Sequence, residues 1–213
     1  MTGIHDLGWF VLAGLLLNVT PGPDMAYIAA RGAAGGFRDG FAASLGIKLG
    51  CLVHTLAAAA GLSALIATSA AAFTVVKLAG AAYLAFAGVR LLLAAARTPT
   101  PAAPAVLLRP APPLAIVREA FVINVLNPKV ALFFLAFLPQ FIDADAPHQA
   151  LAFVALGCLF NVNSLLVNVP VAWLASRAAH GLRTSVRAAR ILGGAAGAIF
   201  LLLAARVATL ERS

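Results

Sequence analysis

The chain has 213 residues, 62% of them hydrophobic and 10% charged, with a mean hydropathy of +0.99 and a formal net charge of +8. Soluble domains run about 45–50% apolar and about 25% charged, so the composition excludes a water-soluble fold and points to an all-α polytopic membrane protein. A basic balance suggests nucleic acid in a soluble chain; here the Lys and Arg fall mostly in short loops between apolar runs, which makes the lipid bilayer the partner and leaves no reason to invoke nucleic acid.

A membrane span needs roughly 20 apolar residues, and reading the chain for that length gives six, at about 7–30, 41–67, 71–94, 116–140, 148–175 and 190–209. The first eight residues hold no Lys or Arg but do hold Asp6, so the basic region of a signal peptide is missing and the first span is read as retained. That span is interrupted by "NVTPGPD" at 18–24. Pro21 cannot donate to the carbonyl of Leu17, nor Pro23 to that of Val19, and Gly22 between them is expected to adopt angles other residues resist. The result is two half-helices with free carbonyls at one end and free N–H groups at the other. In hydrocarbon such backbone is tolerated only where protein or a wet cavity answers it. Asn18 stands at the start of the break, and Asp24 opens the second half-helix, where the helix dipole favours a carboxylate. Of the seven acids only Asp24 lies deep in a predicted span, a position that makes it a substrate- or proton-binding candidate. The structural alternative is a carboxylate that caps the half-helix and pairs with Lys48.

The second span carries Lys48 in "LGIKLG", which either stays in the membrane interior or snorkels to the interface. It also carries His54, which shares a helical face with Gly46 and Gly50 and could relay protons. The Pro/Ala-rich "RTPTPAAPAVLLRPAPPL" cannot be helical and reads as a linker, so the chain divides into a three-helix repeat at 1–94, a linker at 95–115 and a second three-helix repeat at 116–213. The fourth span is broken in turn by "VLNPK": Asn127 offers an amide at the break, Pro128 removes a donor, and Lys129 adds a cation. Span 5 places Asn161, Ser164 and Asn168 on one helical face, suited to lining a pathway or to bridging helices. Cys51 and Cys158 both sit in apolar runs and give neither a disulfide framework nor a metal spacing.

Ten basic residues flank one side of these spans (Arg31, Arg38, Arg90, Arg97, Arg109, Arg118, Arg177, Arg183, Arg187 and Arg190) and three the other (Lys77, Arg206 and Arg212). The positive-inside rule puts the ten in the cytoplasm and both termini outside. "LGCLVHT" at 49–55 recurs as "LGCLFNV" at 156–162, and the same offset of 107 carries Pro21 onto Pro128. With three spans per half, the halves run in opposite senses. Inverted repeats with helices 1 and 4 interrupted at matching positions point to a secondary transporter.

The strings "TPGPD", "GFRDGFAASLGIKLGCLVHTLAAAAGLSAL", "VKLAGAAYLAFAGVRLL" and "NPKVALFFLAFLPQF" resemble the LysE/RhtB family of bacterial amino-acid exporters, in order and over nearly the whole chain. The resemblance implies six helices and export of amino acids or closely related small molecules across the cytoplasmic (inner) membrane, driven by the proton motive force, with no cofactor and no metal. It carries over Pro21, Gly22, Pro23 and Asp24, then Asn127, Pro128 and Lys129, with Gly46, Gly50 and His54 on a recurrent pattern. Lys48 and Glu119, in "VREAF", depart from that pattern and bear on the substrate. The alternatives are an exporter of another small solute, a lactone or toxic amino-acid analogue, and a non-transport structural subunit. An intramembrane enzyme would need a nucleophile–base pair or metal cluster, whereas only His54 of the four histidines is intramembrane. The Gly-xxx-Gly spacings permit close helix packing, within the chain or in a homo-oligomer.

Overall fold

The computed structural model describes residues 3–62, 109–143 and 146–178, with scattered helical positions between 74 and 96 and between 194 and 205. Much of the third and sixth predicted spans and most of the linker lie outside the described residues. What is described is all-helical apart from one isolated antiparallel bridge, Ile4 with Ile142.

Helix α1 spans Leu7–Val19 and α2 spans Pro23–Ala57, followed by a π turn over Ala58–Leu62. Between them, Thr20 to Gly22 form the break expected from the two prolines, and Pro23 occupies the first turn of α2, where its missing N–H costs nothing. Helix α2 is not one rod. Gly36 has φ 79° and ψ −174°, a region essentially closed to residues with a Cβ, and the helix folds back there. A Cβ on Gly40 would lie 3.1 Å from the Cα of Gly32, an approach that eight residues of straight helix forbid. The loop expected between residues 30 and 41 therefore shrinks to a single non-helical glycine, and α2 is a hairpin of two helical arms.

Helix α3 covers Pro113–Val125 and α4 covers Pro128–Phe137, which runs into a 3₁₀ turn at Leu138–Phe141; α5 covers Gln149–Ala178. The α3–α4 pair bends by 51° at the Asn127–Pro128 break. Two helical runs, Pro23–Gly61 and Gln149–Arg177, are each long and apolar enough to cross a membrane, and the bent pair makes a third if taken as one span. Their lipid side carries exposed Leu, Val, Phe and Trp such as Leu49, Leu56, Leu126, Leu166 and Trp173, as expected where lipid is the solvent.

Lipid tails are as apolar as leucine, so packing and small residues hold such a bundle together. Phe133, Phe137 and Phe141, spaced by four, form a ladder with centroids 4.8 Å apart at each step. Phe10 of α1 and Phe160 of α5 close on the ladder at 5.3 Å from Phe141 and 5.0 Å from Phe133. On the other side, Gly46 and Gly50 let the second arm of α2 touch α3: Cβ atoms there would meet the Val117 carbonyl at 2.2 Å and the Asn124 Cβ at 2.7 Å. Gly32 and Gly40 both abut Ala172 of α5. These contacts give the bundle two ends. Ile4, His5 and Asp143 mark one, through the Ile4–Ile142 bridge and a His5–Asp143 contact at 3.8 Å. Arg31, Gly36 and Glu119 mark the other.

Candidate functional site

The two helix breaks answer each other across the bundle. Lys129 Nζ, from the second break, donates to the carbonyls of Leu17 (3.1 Å) and Thr20 (3.0 Å) at the first. The Leu17 carbonyl is one that Pro21 leaves without a donor, so the cation supplies what proline withholds. Gly22 makes room for it: a Cβ there would stand 3.0 Å from the Lys129 ammonium. The expectation of unusual angles at Gly22 is corrected, since φ −162° and ψ 179° are ordinary extended backbone and the glycine is required by space.

The second break is answered in the same way. Pro128 has no N–H for the carbonyl of Asn124, four residues back; that oxygen accepts from Asn127 N at 2.9 Å, and His54 Nε2 approaches it at 3.0 Å. A carbonyl only accepts, so His54 is the donor and carries its proton on Nε2. Asn127 caps α4, its Oδ1 accepting from Lys129 N at 3.0 Å.

Asp24 sits in the first turn of α2, buried to 9% exposure. Asn124 Nδ2 donates to its Oδ2 at 3.0 Å, and its Oδ1 is buried without a hydrogen-bond partner. Among the described residues no ion pair joins Asp24 to either lysine; the pairing with Lys48 weighed from the sequence is replaced by the Asn124 bond. Lys48 does not snorkel. It is equally buried, and its Nζ donates to Ser164 Oγ. Ser164 Oγ donates in turn to the Asn161 carbonyl at 2.8 Å, while Asn161 Nδ2 donates to the Lys48 carbonyl at 3.2 Å.

These groups enclose a chamber lined by Asn18, Asp24, Met25, Ile47, Lys48, Cys51, Asn124, Lys129, Val130, Phe160, Ser164 and Asn168. Its free volume is about 10 Å³, the size of one water molecule. One carboxylate and two ammonium groups face it, beside the apolar walls of Met25, Ile47, Val130 and Phe160. Among the described residues that space is smaller than an amino acid needs.

Of the residues singled out in the sequence, Asp24, Lys129, Asn18, Lys48, Ser164 and Asn168 come together around this chamber. Pro21, Gly22, Pro23, Asn127 and Pro128 shape its breaks. His54 and Asn161 sit behind the lining, holding the Asn124 and Lys48 carbonyls. Sequence reading missed Asn124, buried to 1% exposure and the direct partner of Asp24. It also missed Asn163, whose Nδ2 ties α5 to the Val11 carbonyl at 2.9 Å. One signal was present for Asn124: it stands four residues before Pro128, where its own carbonyl must be freed.

Apolar outside, and carrying a buried carboxylate and two buried or partly buried lysines inside, the bundle is that of an integral membrane protein with a polar interior. The family model described as LysE type translocator matches residues 15–211, and the chain belongs to that family. It is therefore a translocator and not an enzyme. The chain is similar to proteins named leucine efflux protein: that of Salmonella choleraesuis is 27% identical over 209 residues, 98% of this chain and 97% of the relative. The one from Klebsiella pneumoniae is 29% identical over 209 residues, 98% of this chain and 97% of the relative. The one from Enterobacter sp. (strain 638) is 27% identical and covers 98% of each chain. No solved structure matches the chain.

Proposed function

We propose that the chain exports a neutral, apolar amino acid such as leucine across the bacterial cytoplasmic membrane in exchange for a proton. The observation that carries this reading is Asp24: a buried carboxylate with one oxygen held by Asn124 and the other without a partner, facing a chamber shared with two lysines. The substrate ammonium pairs with Asp24 Oδ1, and its carboxylate pairs with Lys48, whose ammonium is otherwise held by one serine hydroxyl. Met25, Ile47, Val130 and Phe160 receive the side chain. The names of the relatives support an aliphatic cargo.

The carbonyls of the first break are not open to the substrate ammonium, because Lys129 occupies Leu17 and Thr20. With the Lys129 ammonium committed to those carbonyls, Lys48 is the cation that meets the substrate carboxylate. Asp24 binds substrate on the cytoplasmic side, releases it outside, and returns protonated. A neutral Asp24 makes the return without an unpaired charge, which is what couples proton entry to substrate exit.

The proposed architecture is six transmembrane helices as two inverted repeats, 1–94 and 116–213, rocking about the chamber, with both termini outside. The fold-back at Gly36 supports it, because α1 with the first arm makes one broken pass and the second arm the next. A lactone lacks the carboxylate that Lys48 meets and is the weaker candidate. The decisive experiment is leucine counterflow and proton-coupled leucine export by Asp24→Asn in proteoliposomes. Loss of proton coupling is expected; undiminished proton-coupled export by the variant overturns the proposal.

A further inference from the structure

A cluster of charged groups around Arg31 lies outside the chamber. Arg31, on the first arm of α2, is buried to 4% exposure although it stands at a helix end where a basic residue ordinarily reaches into water. Its Nη2 donates to Glu119 Oε2 of α3 at 2.7 Å, its Nε to the Tyr27 hydroxyl at 3.0 Å, and its Nη1 to the Arg109 carbonyl at 3.1 Å. Tyr27 completes the triangle, donating to the same Glu119 oxygen at 2.5 Å, with the guanidinium 5.3 Å from its ring centroid. Glu119 itself is half exposed, so the cluster runs from the wet surface to the interior.

Three features set this apart from an ordinary surface pair, which contributes little. Asp24, Tyr27 and Arg31 are spaced by three and four, so they follow one face of the first arm and the cluster lies one to two turns along from the chamber. It joins the α2 hairpin to α3, segments that precede and follow the linker. Directly behind it, Ile28, Ile47, Ile116 and Ala43 form a dry plug, all buried to 4% exposure or less. A chamber with room for one water must widen to admit a larger cargo, and on the Arg31 side the helices are joined by bonds that reach across the two parts of the chain.

We propose that Arg31, Glu119 and Tyr27 form a bolt across the mouth of the chamber on the Arg31 side, broken each time that mouth opens. Charge-assisted hydrogen bonds are geometrically specific and about twice as strong as neutral ones, and the buried Arg31 donates three, so the bolt holds the closed state without any contact to the cargo. The inference rests on the chain being a translocator and not on which solute it carries.

Cys51 lines the chamber and is buried to 2% exposure, which makes it a native reporter of opening. The full-length protein carrying Cys158→Ser is placed in oriented membrane vesicles and treated with an anionic, membrane-impermeant methanethiosulfonate. Glu119→Gln and Arg31→Gln are expected to speed labelling of Cys51 about tenfold, the population change produced by losing one charge-assisted hydrogen bond. The gain appears only from the vesicle face that bears Arg31 and Arg38. Tyr27→Phe, which removes a hydroxyl alone, gives a smaller gain, and the exchange Arg31→Glu with Glu119→Arg restores slow labelling. Unchanged labelling in the well-folded variants, or an equal gain from both faces, overturns the bolt. If the single-charge variants are lost from the membrane, Tyr27→Phe and the charge exchange decide the matter by the same readout. No substrate is added, so a negative result here leaves the leucine proposal standing, and failure of leucine export leaves the bolt standing.

Discussion

Lys48 and Lys129 line one chamber but are engaged differently, and their substitutions should separate accordingly. Lys48 donates to a single hydroxyl on α5, whereas Lys129 holds two backbone carbonyls, one of which, that of Leu17, Pro21 leaves without a helical donor. Lys48→Met should raise the KM for leucine by about tenfold to a hundredfold, the worth of one hydrogen bond to a charged group, while the amount of folded protein is unchanged. Lys129→Met should instead lower the thermal stability of the detergent-solubilised protein, because it strips the cap from the first break. Both are read from the same preparations, by uptake into proteoliposomes and by thermal unfolding. Asn124 belongs beside them: no local pattern in "VINV" marks an amide as the partner of a carboxylate 100 residues away, and only the fold supplies that information. Asp24 was legible for the opposite reason, since a carboxylate in hydrocarbon is costly whatever surrounds it.

Among the helices, the breaks were the most legible features, because a missing N–H is a property of proline itself. The hairpin of α2 was less so. Composition marked 31–40 as a loop, yet every residue there but Gly36 is helical, since one glycine at positive φ suffices to reverse the chain. Gly36→Ala should therefore cost about 1–3 kcal/mol of stability, although nothing lies within 4 Å of the added methyl group. Gly46→Val should be worse for a different reason: its side chain would enter the backbone of α3 at Val117, forcing apart the helices that carry Lys48 and Asn124. Thermal unfolding of the two variants, with leucine export measured beside it, tests both statements. The Gly46–Gly50–His54 face was foreseen from spacing, and it does pack on one helix. Its purpose was not, because the carbonyl that His54 meets is freed by a proline 74 positions further on.

At the scale of the whole molecule, the described residues place Arg31, Arg38 and Arg118 toward the end marked by Gly36 and Glu119, and His5 and Asp143 at the opposite end. In the proposed topology the first end faces the cytoplasm, the side that the basic asymmetry of the sequence favours. Single cysteines at Arg38 and at His148, in a background lacking Cys51 and Cys158, should label from opposite faces of the membrane, with His148→Cys accessible from outside the cell. Labelling of both from one side would invert or break the proposed topology. The Arg31–Glu119 contact was beyond reach of sequence for a related reason: flanking arginines count toward orientation without revealing which of them turns inward.

The ammonium that serves the first break also sets a schedule. Lys129 lies 112 positions after Leu17, and ribosomes add about 5–20 residues per second, so the carbonyls of Leu17 and Thr20 wait roughly 6 to 22 s for the group that will cap them. During synthesis the nascent N-terminal half has a gap in its first helix that lipid cannot fill. It must linger where water or the insertion machinery can reach those oxygens, and a ribosome stalled inside the central linker would leave a product with no means of settling into the bilayer.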